Sequence, residues 1–154
     1  MRGQFRGSAA DPSIVLENAL AFWVNRFYET SRRAMYREFR AFGVEVTPEQ
    51  WLVLVRLWER DERSQRELAD AIERDAPTTS RIVDAMERAK LVSRAADPDD
   101  ARGKRVRLTA KARGLRQVLV PVVKKMVAKM EHGVSEKDLE LTRQTLQRLT
   151  ENLG

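Results

Sequence analysis

The chain has no cysteine among its 154 residues and a single histidine, His132. The first absence excludes disulfides, thiolate metal sites and any switch that works by oxidising a thiol. One imidazole without thiolates or clustered carboxylates makes a poor metal site and a poor catalytic dyad, so neither a metal nor a cofactor is expected. Glycine and proline are sparse, at seven and five residues, and no glycine-rich loop of the kind that cradles phosphate occurs. With no paired nucleophile and base either, the chain is not expected to be an enzyme. No apolar run approaches the roughly 18 residues that cross a bilayer, and the N-terminus lacks the apolar core of a secretory signal. A cytoplasmic protein without a membrane role is expected.

What the chain has in quantity is charge: 34% of it is Asp, Glu, Lys or Arg, with a net charge of +6. The excess is local, because residues 94–116 hold eight Lys or Arg against three Asp. Such clustering is open to two readings, a solvated face or the footprint of a polyanion.

The stretch 64–109 favours the second. Ser64 with Glu67 is a capping box that opens a short helix with Leu68, Ala69 and Ile72 on one face. Asp75 is a good N-cap for a second helix, Pro77 fits its first turn, and Ile82, Val83 and Met86 form its expected buried stripe. Two short helices joined tightly make a helix-turn-helix. Residues 91–94 and 104–108 then read as strands, with Val106 and Leu108 to one side and Arg105 and Arg107 to the other. The turn-rich residues 97–103 between them complete a β-hairpin wing.

These residues resemble the MarR family of bacterial transcription regulators. The family register appears as Leu68-Ala69, Thr78 with Arg81-Ile82-Val83-Asp84, Leu91-Val92 with Arg94, Asp97-Pro98 with Asp100 and Arg102, and Leu108-Thr109. Glu73 and Lys90 stand where the family often carries glycine, and a side chain at a left-handed cap costs roughly 1 kcal/mol. The resemblance implies a winged helix-turn-helix that dimerises through its terminal helices and, as a repressor, leaves its operator when a small ligand binds. It also implies that Arg102 enters a minor groove, where a narrow groove concentrates negative potential.

Taken in order, residues 1–12 read as a flexible arm, and a long helix is expected from about 11–13 to 42. Thr47-Pro48-Glu49-Gln50 is another capping box, opening a helix to about residue 60 whose Trp51, Leu52, Val55, Leu57 and Trp58 suggest a sandwiched position. Residues 61–63 read as a polar turn. After the wing a helix from Thr109 contains Pro121, which should kink it. Ser135 caps the last helix, where Leu139, Thr142, Leu146, Leu149 and Leu153 alternate at three and four residues as a seam for another helix. The expected fold is mainly α with a small β-hairpin wing. The lobe spans 47–109, and 13–46 with 110–154 form a helical dimerisation region within one structural domain. A monomeric helical bundle is the plainer alternative to the dimer.

The surface expected on DNA comprises Ser64, Gln65, Pro77, Thr78, Thr79, Ser80, Arg81, Arg94, Arg102, Lys104 and Arg105. Arg81 is open to guanine readout, a phosphate contact or a pair with Asp84. Asp100, of the wrong charge for phosphate, is expected to stabilise the wing. Trp23, Phe27 and Trp51 suit core packing and, by the resemblance, a small aromatic or acidic ligand. Leu16, Leu20, Leu139, Leu146, Leu149 and Leu153 are expected at a homodimer interface. The expected partner is double-stranded DNA carrying an inverted repeat, read by two recognition helices about 34 to 36 Å apart. An architectural DNA binder with little sequence preference, or a protein-interaction module using the basic wing, are the rival readings.

Overall fold

A computed structural model of the chain describes residues 15–100 and 103–154. These fall into two compact units, one ending at Arg113 and the other Gly114–Gly154. The expected N-terminal arm and Arg102 lie outside the described residues.

The first unit opens with a 3-10 turn, Leu16–Asn18, followed by helix α1, Leu20–Ala41. The single long helix expected from the sequence is therefore broken at Ala19, which is extended at φ −88° and ψ 123°. Neither Val15 nor Ala19 supplies a capping side chain. The carbonyl of Glu17 is taken by the indole N–H of Trp23 at 2.7 Å rather than by a helical amide. Gly43, at φ +72°, turns the chain after α1, a conformation that costs glycine little. Phe39 is the buried residue of α1, while Leu16, Leu20, Trp23, Val24 and Phe27 remain exposed.

Helix α2, Pro48–Glu59, begins at the expected capping box: Thr47 Oγ1 accepts from the Gln50 amide and Gln50 Oε1 from the Thr47 amide. Val53, Leu54 and Leu57 are buried, whereas Leu52 is exposed and Trp51 and Trp58 half-buried. The two indoles close an aromatic row with Phe39, at centroid distances of 5.5 Å (Phe39–Trp51) and 5.6 Å (Trp51–Trp58).

Three strands form one antiparallel sheet in the order β1–β3–β2: β1 is Arg63–Ser64, β2 Val92–Ala96 and β3 Lys104–Leu108. β1 replaces part of the expected polar turn. The cause lies far along the chain, since Asp61 Oδ1 accepts from the Leu108 amide at 2.9 Å and so lays Arg63 opposite Val106. Glu62 makes the corner at φ +59°. Val106 and Leu108 are buried and Arg107 is exposed, as the period of two requires.

Helices α3, Gln65–Ala71, and α4, Ala76–Arg88, pack between α2 and the sheet. Leu68, Ala69 and Ile72 are buried as expected. The buried stripe of α4 differs: it is Thr79, Val83 and Met86, with Ile82 half-exposed. Positions i, i+4 and i+7 share a helix face, and Thr79 is tolerated on it because its hydroxyl donates to the Asp75 carbonyl at 2.9 Å.

Helix α5, Ala110–Met130, begins in the first unit and from Gly114 runs in the second, where it contains Pro121, and α6, Glu136–Glu151, follows. Its first turn is fastened to the lobe: Arg113 donates to Asp61 at 2.8 Å, Lys111 to the Ala89 carbonyl at 3.0 Å, and Trp58 Nε1 to the Ala112 carbonyl at 3.1 Å. Ser135 caps α6 as expected, and α6 buries no residue. Leu139 is half-buried, and Leu141, Leu146, Leu149 and Leu153 are exposed.

Candidate nucleic-acid interface

Helix α3 is held at its start by a reciprocal pair: Ser64 Oγ accepts from the Glu67 amide at 3.1 Å and Glu67 Oε2 from the Ser64 amide at 2.7 Å. Glu67 also accepts from Arg60 at 2.5 Å. The Arg60 guanidinium foremost, with the Ser64 amide, holds the Glu67 carboxyl down at about 2 against an ordinary value of 4.5. Ser64 and Gln65 are half-buried at this corner.

The turn from α3 to α4 places Glu73 at φ +53°, and the turn after α4 places Lys90 at φ +57°. Both sites thus keep the left-handed geometry that glycine would adopt at lower cost. Asp75 caps α4, accepting from the Thr78 amide at 2.7 Å and from the Thr78 hydroxyl at 2.9 Å. The Thr78 amide, then its hydroxyl, keeps the Asp75 carboxyl below the usual carboxylate range.

The first turns of α4 present Pro77 and Arg81 exposed and Thr78 and Ser80 half-exposed. Arg81 leans on Thr78 Oγ1 at 3.3 Å. It does not pair with Asp84, whose carboxylate is taken by Arg94. Thr79 is a correction to the expected DNA surface. It is fully buried, and a side chain with no accessible surface has nothing to offer a base edge.

The wing is more neutralised internally than its composition implies. Arg94 donates to Asp84 and to Glu87, each at 2.6 Å, and its guanidinium keeps a 3.5 Å contact with Gln65. Arg105 donates to Asp97 and Asp99 at 3.0 Å each and to the Glu62 carbonyl at 3.1 Å. Asp97 also accepts from the Asp99 amide at 3.0 Å, which folds the wing turn on itself. Asp100 accepts from the Gly103 amide through its carbonyl at 3.0 Å. A Cβ on Gly103 would stand 2.9 Å from Asp100 Oδ2 and 3.0 Å from its Cβ, so a side chain here would have to displace that of Asp100. Lys104 and Arg107 are exposed, Arg107 reaching Glu62 at 3.8 Å.

Between α4 and the wing lies an open polar groove of about 660 Å³ lined by Gln65, Ser80, Asp84, Glu87, Arg94 and Lys104 among others. The structure therefore brings Gln65, Ser80, Arg94 and Lys104 together. Two residues escaped the sequence reading: Glu87, which joins Arg94 across seven positions, and Asp61, which ties β3 to α5. Neither carries a local signal, because both partners are distant in sequence.

The model of the MarR family matches residues 46–104, which is α2 through the start of β3. Over this stretch the winged lobe is similar to the MarR family. Solved structures agree over nearly the whole chain. A probable transcriptional regulator from Pseudomonas aeruginosa is 27% identical with a TM-score of 0.78, the match covering 88% of this chain and 99% of that one. A MarR-family transcriptional regulator from Rhodococcus sp. RHA1 is 25% identical with a TM-score of 0.74, over 89% and 96%. The fold is shared as well with S. aureus MepR, solved as a DNA complex, at 22% identity and a TM-score of 0.79 over 88% and 98%. In MarR-family terms α4 is the recognition helix and the β2–β3 hairpin the wing.

Proposed function

We propose that this chain is a homodimeric, sequence-specific regulator of transcription that binds duplex DNA in the cytoplasm, acts as a repressor and is released by a small ligand. The observation that carries the DNA reading is the juxtaposition at α4. Pro77, Thr78, Ser80 and Arg81 are offered on its first turns beside a hairpin carrying exposed Lys104 and Arg107, so hydroxyls and a guanidinium address base edges while cations address phosphate. The MepR complex with DNA supports the same use of this fold. Such a chain is a regulator and not an enzyme.

The dimer reading rests on apolar surface. Leu16, Leu20, Trp23 and Phe27 on the first unit, and Leu141, Leu146, Leu149 and Leu153 on the second, are 36% to 91% exposed in a single chain. Fully burying such a side chain from full exposure contributes about 1.5 to 3 kcal/mol, and a second copy supplies the part of that burial which the single chain leaves undone. A two-fold pair also matches an inverted repeat. The ligand reading rests on Trp23, Phe27 and Trp51, aromatic groups not fully buried.

The test is to select genomic fragments with the purified protein and compare the enriched sequence with random duplex at matched salt. A specific site bound at least about 10³-fold more tightly supports a sequence-specific regulator. Equal binding would make it an architectural protein, and no binding at low salt would leave a protein-interaction module.

A further inference from the structure

Helix α1 carries a second basic surface apart from the winged lobe. At 3.6 residues per turn, Arg26, Arg33, Arg37 and Arg40 fall within about 60° of arc. All four are exposed. Among the described residues none of them is in an ion pair: Arg26 lies over the Trp23 ring at 5.4 Å, Arg40 over Tyr36 at 5.9 Å, and Arg33 and Arg37 make no contact of that kind. The neighbouring Arg32, on the core side, is the one that meets a carboxylate, that of Glu49. The apolar residues of α1 lie on another side, so a partner copy covering Leu20, Val24 and Phe27 leaves the arginines open.

Like charges three and four residues apart repel along a helix, and Glu29, the one carboxylate at the edge of the row, offsets only part of this: it is three residues from Arg26 and four from Arg33 and is ion-paired with neither. We propose that this stripe is a second contact for the DNA phosphate backbone, outside the winged lobe. The inference rests on the DNA-binding reading above and extends it to α1. Charge complementarity chooses the occupant. Fourteen residues of helix make a straight row roughly 21 Å long, and one DNA strand advances 3.4 Å per phosphate along the axis, so about six phosphates pass along it. A protein partner would need an apolar centre inside the charged rim, and apart from half-buried Phe22 the band has none.

The test measures the salt dependence of binding to a random-sequence duplex of about 60 base pairs, using the full chain and the double variant Arg33→Gln, Arg37→Gln. Both positions are exposed, so the fold is kept, which circular dichroism checks. Each phosphate contact contributes about 0.9 to the slope of log K against log salt, so the variant's slope should be shallower by about 1.8 for each chain that lies on the duplex, about 3.6 when both subunits of a dimer do. An unchanged slope overturns the proposal. If acidic polypeptide then separates the two proteins where DNA does not, the stripe belongs to an acidic protein partner instead. Operator preference is scored separately: its absence in the unaltered chain would sink the regulator reading, whereas an unchanged slope sinks the stripe and leaves that preference standing.

Discussion

Arg94 Nη2 lies 2.6 Å from Asp84 Oδ1, and this bond fastens the wing to the recognition helix. The same guanidinium holds Glu87, also at 2.6 Å, and keeps only 14% of its side-chain surface exposed. Burial alone would lower the Arg94 pKa, but Asp84 and Glu87 together raise it above the ordinary value. An arginine so engaged positions β2 against α4 rather than gripping a phosphate. Arg94→Ala should therefore lower stability to urea by about 1.5 to 3 kcal/mol, the range for hydrogen bonds to charged groups. The salt slope of DNA binding should stay as it was, whereas a lost phosphate contact would reduce it by about 0.9. Combining it with Asp84→Asn should cost less than the sum of the two single changes.

Lys90 adopts φ +57° while its carbonyl accepts from Thr109 Oγ1 at 2.8 Å and its amide donates to the Glu87 carbonyl at 2.9 Å. These backbone bonds survive a change of side chain. Lys90→Gly removes the left-handed penalty of roughly 1 to 2 kcal/mol but returns part of it as unfolded-chain entropy. A gain of up to about 1 kcal/mol is expected, read as a higher urea midpoint with an unchanged slope. A lower midpoint would mean that the lysine side chain stabilises the turn in some other way.

Helix starts were legible because their signals are local. Thr47 with Gln50, Ser64 with Glu67, Asp75 and Ser135 each act within three residues, and each caps the helix the sequence assigned to it. Features set by distant partners were not. β1 exists because Asp61 meets Leu108 across 47 positions, and Arg94 is engaged by carboxylates 10 and 7 positions away. Thr79 was misplaced for a different reason: a threonine on a helix looks polar in sequence, yet bonding to the carbonyl four residues back lets it pack as an apolar group. The α1 break at Ala19 is accompanied by a bond from the Trp23 indole to the Glu17 carbonyl six residues back.

The Glu67 carboxyl ties the lobe's stability to acid. Its pKa in the folded chain is about 2, below an ordinary 4.5, so the unfolded chain binds the proton first. The stabilisation is complete above about pH 4.5 and is lost as pH falls toward 2. Arg60 and Glu67 are 56% and 39% exposed, so solvent screening keeps the effect small. Glu67→Gln should flatten the stability curve in that window and leave it unaltered in shape above pH 5, as urea titrations at stepped pH would show. An equally steep curve in the variant would assign the acid dependence to the other carboxylates held low in the same unit, Glu49, Asp61, Asp75 and Asp97.

On α6, Leu146 and Leu149 keep 36% and 40% of their surface exposed, and that part is free for a second copy to cover. Leu146→Asp with Leu149→Asp also costs the single chain the apolar contacts that cover the rest of each side chain, so helical content is measured beside the oligomeric state. In a dimer the same carboxylates are buried without partners and oppose assembly. Sedimentation should find monomers with unaltered helical content. A dimer of unchanged affinity would place the subunit contact elsewhere, with Leu16, Leu20 and Phe27 as the remaining apolar surface.

Trp23 is the side chain that reports on a ligand most directly. It is 48% exposed, with its indole N–H fixed on the Glu17 carbonyl, Phe22 set edge-on at 5.5 Å and the Arg26 guanidinium over its face. An aromatic carboxylate has a ring for the indole and a charge for the guanidinium, the pairing that cation–π geometry already displays. To release DNA it must bind the DNA-incompetent form more tightly, since equal affinity shifts no population. Titrating small aromatic acids should quench tryptophan emission over the same concentrations that release DNA. Trp23→Phe should remove most of the quenching while Trp51 and Trp58, set edge-to-face at 5.6 Å, go on emitting. Arg26→Gln should weaken the acid by about tenfold, as expected for a charge contact of about 1.4 kcal/mol. If quenching survives in Trp23→Phe, the ligand sits nearer Trp51, and if the acids neither quench nor release DNA, this chain answers to a different signal.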